Sequence, residues 1–215
     1  MEQFEPISIL IIIFTVLVSY TSFNNRQQFE KLKHYPYNEF RTKEYFRLLS
    51  AGFVHGDYIH LAINMFVLYS FGSIIEKVFT MDQFYGPVMG RIVFLGMYLL
   101  NIVAASIPTF YKHRHNPRFA SVGASGAVSG LVFIYVVIFP YDQISLLILP
   151  FIGFPAILLG VGYLIYSSYA AKKSNDNIDH VAHFYGALFG IAFLWATKPN
   201  MINHFFRTLV NDFPF

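Results

Sequence analysis

Cysteine is absent from this chain of 215 residues, which excludes disulfides, thiolate metal sites and a cysteine nucleophile. Charged residues make up only 13% of the sequence and form no long basic run, so nucleic acid is not an expected partner. The HExxH pattern of zinc proteases is missing, and Asp142 and Asp179 lie at segment ends rather than paired in mid-membrane for aspartyl chemistry. These absences leave no support for a metal ion or any other cofactor.

Long apolar segments are abundant instead, and hydrophobic residues make up 55% of the sequence. A helix that crosses a bilayer core needs roughly 20 apolar residues, and six segments approach or reach that length. Pro150, Gly153 and Pro155 interrupt the long fifth segment, so an irregular stretch over 144–154 is expected before its helix. The sequence predicts an all-α polytopic membrane protein, with one membrane domain over residues 1–215 that is surrounded by the lipid bilayer. Its six transmembrane helices are expected at about 6–23, 57–75, 92–111, 122–139, 155–171 and 178–197.

The first loop, residues 24–56, mixes basic and aromatic side chains. Such a mixture suits the headgroup zone of a bilayer, so a membrane-associated structural loop is the favoured interpretation. A lateral gate or a substrate contact is the alternative. The residues concerned are Arg26, Lys31, Lys33, Arg41, Lys43 and Arg47 with Tyr35, Tyr37, Tyr45 and Phe46.

His60 and Asn64 lie one turn apart on the same face of the second predicted helix. Polar groups at this depth must face protein or water, because an unpaired polar group in hydrocarbon is costly. The pair fits two interpretations: hydrogen bonds that join neighbouring helices, and a part in an active site. The spacing alone does not decide between them.

A run of small residues from Gly123 to Gly130 opens the fourth predicted helix and contains Ser125. A GxSG match is weak in a soluble protein, and the strand-turn-helix context of a nucleophile elbow is absent. Helices two, four and six enter the bilayer from the same side, since one complete crossing pair separates each from the next. Counted from the segment starts, His60, Ser125 and His183 lie about 5 to 8 Å deep at 1.5 Å per residue. Three candidate catalytic groups therefore share one depth.

Glycine spacing predicts that helices four and six approach each other closely. A close crossing brings the Ser125 hydroxyl within hydrogen-bond reach of His183, the geometry by which a general base activates a serine. Two GxxxG patterns, which let helix backbones approach, are formed by Gly126 with Gly130 and by Gly186 with Gly190.

Ser125 also lies in the first turn of its helix, where backbone N–H groups lack intrahelical partners and the helix dipole favours negative charge. The Ser125 N–H, together with side-chain donors of His60 and Asn64, is a candidate oxyanion hole. The acidic residue nearest to His183 in sequence is Asp179, one turn away and at the predicted interface. The sequence therefore predicts a Ser–His dyad rather than a triad.

These motifs, in this order and on these helices, resemble the rhomboid intramembrane serine proteases, specifically the compact six-helix bacterial form. The resemblance covers essentially the whole chain, so that residues 1–215 would form one rhomboid domain. It rests on Tyr45-Phe46-Arg47, on His55, His60, Asn64, Gly72 and Glu76, on the GASGAVSG run from Gly123 to Gly130, and on Ala182, His183, Gly186 and Gly190.

The resemblance implies that Ser125 is the nucleophile, His183 the general base, and that His60, Asn64 and the Ser125 backbone N–H form the oxyanion hole. It implies that the partners are single-pass transmembrane proteins, cut in or near their membrane segment after lateral access past helix five. It also implies an integral multi-pass protein of the bacterial inner (plasma) membrane. The active site would open to the extracytoplasmic side and receive water from there.

Two features depart from the family pattern. Some members carry an aromatic residue one turn after the nucleophile that packs on the catalytic histidine, whereas this chain has Ser129, so Phe184 or Tyr185 would have to hold the imidazole. The loops on the implied outer side carry 11 of the 15 Lys and Arg residues, although the positive-inside rule favours the cytoplasm for them. The family orientation is retained, because an inverted enzyme would face cytoplasmic substrates and a membrane-embedded first loop dilutes the count.

Two other functions remain as alternatives. An inactive rhomboid-like protein would bind transmembrane clients without cutting them, although such relatives usually lack the serine or the histidine that this chain keeps. A transporter or proton relay would need charged residues deep in several helices, whereas the polar groups here cluster near one face. The sequence favours the serine endopeptidase, a hydrolase acting within the membrane.

Overall fold

The computed structural model of the chain describes residues 6–146, 149–173 and 178–213. Helices dominate these residues, and one short antiparallel hairpin interrupts them. In chain order the elements are α1 (Ile7–Asn24), α2 (Arg26–Leu32), α3 (Pro36–Thr42), α4 (Arg47–Ser50), a 3₁₀ turn (Ala51–Phe53), α5 (Tyr58–Val67), a π-helical turn (Leu68–Gly72), α6 (Ser73–Thr80), α7 (Pro87–His113), α8 (Ser125–Ile138), β1 (Gln143–Leu146), β2 (Leu149–Pro155), α9 (Ala156–Lys173), α10 (His180–Thr197) and α11 (Asn200–Asn211).

The six predicted transmembrane segments correspond to α1, α5 joined to α6, α7, α8, α9 and α10. The protein is an all-α polytopic membrane protein. Among the described residues, four helices are long and apolar enough to cross a bilayer by themselves: Ile7–Asn24, Tyr58–Thr80, Pro87–His113 and His180–Thr197.

Two of the six segments are longer than the sequence analysis predicts. The second continues past residue 75 to Thr80, the last residue of α6, which follows the π-helical turn without a break. The third covers Pro87–His113 rather than 92–111, since Pro87 in the first turn has no N–H that would be left unpaired. The other four begin and end within three residues of the predicted bounds. Hydropathy underestimates helices whose ends extend beyond the apolar run.

α8 is the central helix of the bundle. All but two of its 14 residues are buried. The helix that α8 contacts most extensively is α10. At 1.5 Å per residue it is about 21 Å long, whereas the hydrocarbon core of a bilayer is about 30 Å thick. The two ends of α8 therefore cannot both reach a membrane surface.

The first loop, residues 24–56, folds into three short helices that are fixed to the bundle. The buried guanidinium of Arg47 donates to the carbonyl oxygens of Glu30 and Lys33 at 2.7 and 3.3 Å and pairs with Glu44 at 2.6 Å. His34 exchanges two backbone hydrogen bonds with Ser121, of 3.0 and 2.9 Å. The loop is thereby joined to the segment that leads into α8.

A buried carboxylate joins α6 to the start of α1. Glu76 accepts the backbone N–H of Ile7 at 2.6 Å and that of Ser8 at 2.8 Å. These N–H groups belong to the first turn of α1 and have no partner within the helix. Glu76 therefore caps a neighbouring helix, which explains an acidic side chain that is only 4% exposed in a membrane protein.

The chain between α8 and α9 forms a β-hairpin instead of the irregular stretch predicted over 144–154. Gln143 pairs with Pro155 and Ile144 with Phe154.

The last helix, α11, packs against α8 at the same end of the bundle. His204 donates from Nε2 to the carbonyl oxygen of Ile138 at 2.9 Å, so it satisfies a carbonyl at the helix end that has no intrahelical partner.

Candidate active site

Ser125 and His183 lie in hydrogen-bond contact although 58 positions separate them in the sequence. The Nε2 atom of His183 is 2.7 Å from Oγ of Ser125. Ser125 is the first residue of α8, and His183 lies in the first turn of α10. With Nε2 as the acceptor, this geometry allows the serine hydroxyl to pass its proton to the imidazole.

Glycines permit the close approach of α8 and α10 that brings these two side chains together. A Cβ added to Gly186 would overlap the backbone of Gly126, and a Cβ added to Gly190 would overlap that of Gly130. Glycine has no Cβ, so the two backbones pack directly against each other here. The two GxxxG patterns of the sequence face each other across the helix pair.

Asp179 fixes the start of α10 through its side chain. Its carboxylate accepts the N–H of Ala182 at 2.9 Å, the hydroxyl of Thr109 at 2.9 Å and the hydroxyl of Ser121 at 3.0 Å. It thus caps α10 and joins it to α7 and to the segment before α8. The backbone carbonyl of Asp179, rather than its side chain, accepts the N–H of His183, at 3.1 Å.

An aromatic ring from a third helix stacks on the imidazole of His183. The ring of Tyr163, on α9, lies at a centroid distance of 6.2 Å and an interplanar angle of 20° from that of His183. Its hydroxyl is 2.6 Å from Oγ of Ser129, the residue one turn after Ser125. The hydroxyl of Ser129 donates in turn to the carbonyl oxygen of Ser125 at 2.8 Å. Tyr163 therefore contacts one member of the pair directly and the other through Ser129.

Tyr163 is the site residue that the sequence analysis misses. Phe184 and Tyr185, which it favours for this place, pack against each other with ring centroids 5.5 Å apart, and Tyr185 is 44% exposed. A tyrosine within an apolar helix gives no signal of which neighbour its ring will contact. The one available signal is Ser129, a buried hydroxyl that calls for a hydrogen-bond partner on an adjacent helix.

His60 and Asn64 lie on α5 beside the segment that leads into α8. The Cε1 and Nε2 atoms of His60 are 2.6 and 2.7 Å from the point that a Cβ of Gly123 would occupy. Asn64 is buried, and its amide nitrogen donates to the carbonyl oxygen of His60 at 2.9 Å. An amide nitrogen carries two N–H donors, so one is left for another acceptor. His60 thus contacts the residue two positions before Ser125, and Asn64 lies one turn further along α5.

His55 connects the same segment to α1. Its Nε2 accepts the backbone N–H of Ala124 at 3.3 Å, and its Nδ1 lies 2.9 Å from Oγ of Ser19. Since Nε2 is an acceptor, Nδ1 carries the proton of the neutral ring and donates to Ser19, whose hydroxyl donates to the carbonyl oxygen of Phe53 at 3.0 Å. The backbone next to Ser125 is therefore held by a neutral imidazole.

Burial keeps His55 neutral. It lies outside the membrane-spanning helices, and its side chain has no exposed surface. Burial, with a smaller contribution from neighbouring His60 and an opposing one from Asp57, lowers the pKa of His55 to about 3. His55 therefore keeps its acceptor for the N–H of Ala124 at neutral pH.

A small cavity of about 30 Å³ lies behind Ser125. Polar side chains of His34, Ser106, Ser121 and Asp179 contribute to its lining. A space of this size has room for one water molecule. The candidate nucleophile therefore adjoins a polar space within an otherwise apolar bundle.

Residues 42–200 match the protein family described as the rhomboid domain. The chain is 29% identical over 171 residues to rhomboid-like protein 11, chloroplastic, of Arabidopsis thaliana, which covers 75% of this chain and 55% of that protein. It is 25% identical over 157 residues to rhomboid protein 1, mitochondrial, of Saccharomyces cerevisiae. The match covers 69% of this chain and 40% of that protein. The human presenilin-associated rhomboid-like protein, mitochondrial, is 28% identical over 144 residues. The match covers 67% of this chain and 36% of that protein.

The matched part therefore makes up about a third to a half of the length of these curated relatives. The family match covers most of this chain and includes Ser125 and His183, as well as His60, Asn64 and Tyr163.

Proposed function

Because this chain belongs to the rhomboid family, we propose that it is an intramembrane serine endopeptidase that cleaves single-pass transmembrane proteins in or near the membrane. Ser125 would be the nucleophile and His183 the general base of a dyad. The observation that carries the proposal is the 2.7 Å contact between Nε2 of His183 and Oγ of Ser125, at the start of a buried helix too short to span the bilayer. No cofactor is needed for this chemistry.

The proposed reaction proceeds through an acyl-enzyme. Oγ of Ser125 attacks the scissile carbonyl carbon while its proton moves to Nε2 of His183. The C–N bond then breaks as the imidazolium gives that proton to the leaving amine, and an ester on Ser125 remains. Water, deprotonated by His183, hydrolyses the ester and restores the serine hydroxyl. The carboxylate of Asp179 takes no part, since it caps α10 and binds Thr109 and Ser121.

The negative oxygen of the tetrahedral intermediate would be stabilised by three donors. The backbone N–H of Ser125 lies in the first turn of α8, where no intrahelical acceptor is available. His60 lies against Gly123, just before that turn, and Asn64 has a second amide N–H beyond the one bound to the His60 carbonyl. Loss of one oxyanion donor typically lowers the rate on the order of a hundredfold or more.

Substrate helices would approach laterally past α9. This helix packs on the bundle through small side chains and exposes large apolar ones to lipid, with Leu158 62% and Ile165 66% exposed. An apolar outer surface of this kind matches a transmembrane helix as the substrate rather than a soluble peptide.

We further propose a bacterial plasma-membrane location with the site open to the extracytoplasmic side. The relatives above bear the names of mitochondrial and chloroplast proteins and lend no support to a bacterial compartment. The absence of cysteine allows a direct test with single cysteines at two exposed loop residues, Asn116 on the Ser125 side and Gln83 on the other. In intact cells a membrane-impermeant maleimide should label only Asn116→Cys, whereas labelling of only Gln83→Cys would reverse the orientation.

The proposed activity is tested by cleavage of a generic single-pass substrate in liposomes. Wild type should release a fragment, and Ser125→Ala and His183→Ala should each reduce the rate by at least a thousandfold. Ser145→Ala and His115→Gln are matched controls that remove an exposed serine of β1 and an exposed histidine, both outside the candidate site. Cleavage that survives Ser125→Ala would contradict the chemistry, and binding without cleavage by wild type would favour an inactive client-binding protein.

A further inference from the structure

Tyr163 makes a directed chain of contacts that reaches both members of the candidate dyad. A serine hydroxyl has a single proton, and the proton of Ser129 is given to the carbonyl oxygen of Ser125. In the 2.6 Å contact between the two hydroxyls, Tyr163 must therefore be the donor and Ser129 the acceptor. The order of hydrogen bonds runs from Tyr163 through Ser129 to Ser125, while the ring of Tyr163 stacks on His183.

Tyr163 faces the bundle, unlike the exposed large side chains of α9. The residues of α9 that are fully buried are small ones: Ala156, Gly160, Ser167 and Ala170. The large apolar and aromatic residues Leu158, Val161, Ile165, Tyr166 and Tyr169 are between 49% and 66% exposed. Tyr163 instead lies against Phe133 of α8, at a centroid distance of 5.8 Å, as well as against His183.

We propose that Tyr163 is a positioning residue for the dyad, which holds the imidazole of His183 toward Ser125 from the neighbouring α9. This inference rests on the proposed protease function and deepens it. It follows that the dyad is fully assembled only while the middle of α9 is seated against α8 and α10. A helix that faces lipid on its outer side thus supports the catalytic geometry with its inner side.

The physical reason is the freedom of the imidazole to rotate about its side-chain bonds. A hydrogen bond to Ser125 fixes Nε2 in one direction only, whereas a ring stacked on the imidazole restricts rotation of its plane. Offset-stacked rings are favoured at centroid distances of 4.5–7 Å, and the pair of Tyr163 and His183 lies within that range at 6.2 Å. Small displacements of a catalytic group lower the rate steeply, by up to a hundredfold per ångström.

The decisive comparison is Tyr163→Leu with Tyr169→Leu. Both remove a tyrosine from α9, but Tyr169 is 61% exposed and contacts Lys173 rather than the dyad. Tyr163→Leu should reduce kcat by about ten- to a hundredfold with KM within about twofold, while Tyr169→Leu stays within twofold of wild type in both. The rate of Ser125 labelling by a small fluorophosphonate, which needs no transmembrane substrate, should fall by a similar factor in Tyr163→Leu alone.

The hydroxyl is tested separately from the ring. Tyr163→Phe keeps the stacked ring and should retain kcat to within about threefold. Ser129→Ala removes the acceptor that lies 2.6 Å from the buried hydroxyl of Tyr163, so it should reduce thermal stability more than Tyr163→Phe does. Combining the two substitutions removes both partners and should be no worse than Ser129→Ala alone. Additive losses would contradict the assigned hydrogen bond.

The outcomes separate this inference from the proposed function. If wild type cleaves substrate and Ser125→Ala does not, while Tyr163→Leu keeps wild-type kcat and labelling rate at unchanged melting temperature, the positioning role is overturned and the protease stands. If Tyr163→Leu slows cleavage of transmembrane substrate but not labelling, Tyr163 serves substrate docking and the positioning role is again overturned. If labelling of wild type itself does not occur on Ser125, the protease proposal fails.

Discussion

Ser125 opens α8 and His183 lies in the first turn of α10, and the 2.7 Å between their Oγ and Nε2 atoms depends on two helix backbones in direct contact. The contact is therefore sensitive to any side chain added between these backbones.

The crossing of α8 and α10 predicts opposite effects for two Gly→Ala substitutions. A Cβ at Gly190 would overlap the backbone of Gly130, whereas nothing lies within 4 Å of a Cβ at Gly162 on α9. We expect Gly190→Ala to lower the free energy of unfolding by at least about 1 kcal/mol and to abolish activity. Gly162→Ala should be neutral or raise stability by up to about 1 kcal/mol. Thermal unfolding in detergent measures both, and equal effects would contradict the crossing.

The segment before Ser125 also predicts different effects for two Gly→Ala substitutions. Gly123 has φ of 117°, which disfavours any other residue, and its Cβ would lie 2.6 Å from the His60 ring. The nearest atom to a Cβ at Gly56 is Nδ1 of the same histidine, at 4.0 Å. Gly123→Ala should therefore reduce fluorophosphonate labelling of Ser125 by about a hundredfold, because it displaces His60 and the first turn of α8. Gly56→Ala should leave labelling within twofold of wild type.

The neutral state of His55 predicts a loss of stability in acid. The pKa of His55 is lowered by burial from 6.5 to about 3. The unfolded chain therefore binds a proton that the folded chain does not between these two values, so stability is fully present above pH 6.5 and is lost as the pH falls through this window. By pH 4.5 the loss from this one group is between about 2 and 3 kcal/mol.

The measurement is the melting temperature in detergent between pH 7 and pH 4.5. His55→Asn should be less stable at neutral pH but should show a shallower decline in acid than wild type. His115→Asn, at an exposed histidine, is the control and should decline as wild type does. An unchanged slope in His55→Asn would show that this imidazole is not the titrating group.

Lateral access predicts that a disulfide between α8 and α9 blocks substrates selectively. A Cβ at Gly160 would lie 3.3 and 3.4 Å from the two methyl carbons of Val136, so cysteine side chains at these two positions would be in contact. Since the chain has no cysteine, Gly160→Cys with Val136→Cys provides the only thiols. When oxidised, this variant should cleave transmembrane substrate at least tenfold more slowly and recover with reductant.

Labelling by a small fluorophosphonate should remain within twofold of wild type in the oxidised variant, because the closed α9 keeps Tyr163 on His183. Gly160→Cys alone controls for the substitution. If the oxidised variant cleaves transmembrane substrate as fast as the same variant does after reduction of its disulfide, substrates must reach the site by another route.

The sequence predicts the parts of this structure that depend on spacing along one helix. The six apolar segments, the depth shared by Ser125 and His183 and the facing glycine patterns all follow from helix periodicity and bilayer thickness. The role of Asp179 is only partly visible, since its place one turn before His183 does not reveal that its carboxylate caps α10.

Features that depend on contacts between distant segments are not accessible in this way. The stacking of Tyr163 on His183 depends on the rotation of α9, whose apolar residues give no clear inner face. The cap that Glu76 places on α1 is not visible either, because in the sequence this residue is only a charge at the end of an apolar run. The hairpin after α8 depends on pairing across the chain rather than on hydropathy.

The most direct measurement is the mapping of a fluorophosphonate adduct by mass spectrometry across pH 5 to 9. A serine activated by His183 should form a single adduct on Ser125, with a labelling rate that falls as the imidazole is protonated. His183→Ala should abolish the adduct, and Ser145→Ala, at an exposed serine of β1, should leave it unchanged. An adduct on another serine, or one on Ser125 that forms equally fast in His183→Ala, would contradict the dyad.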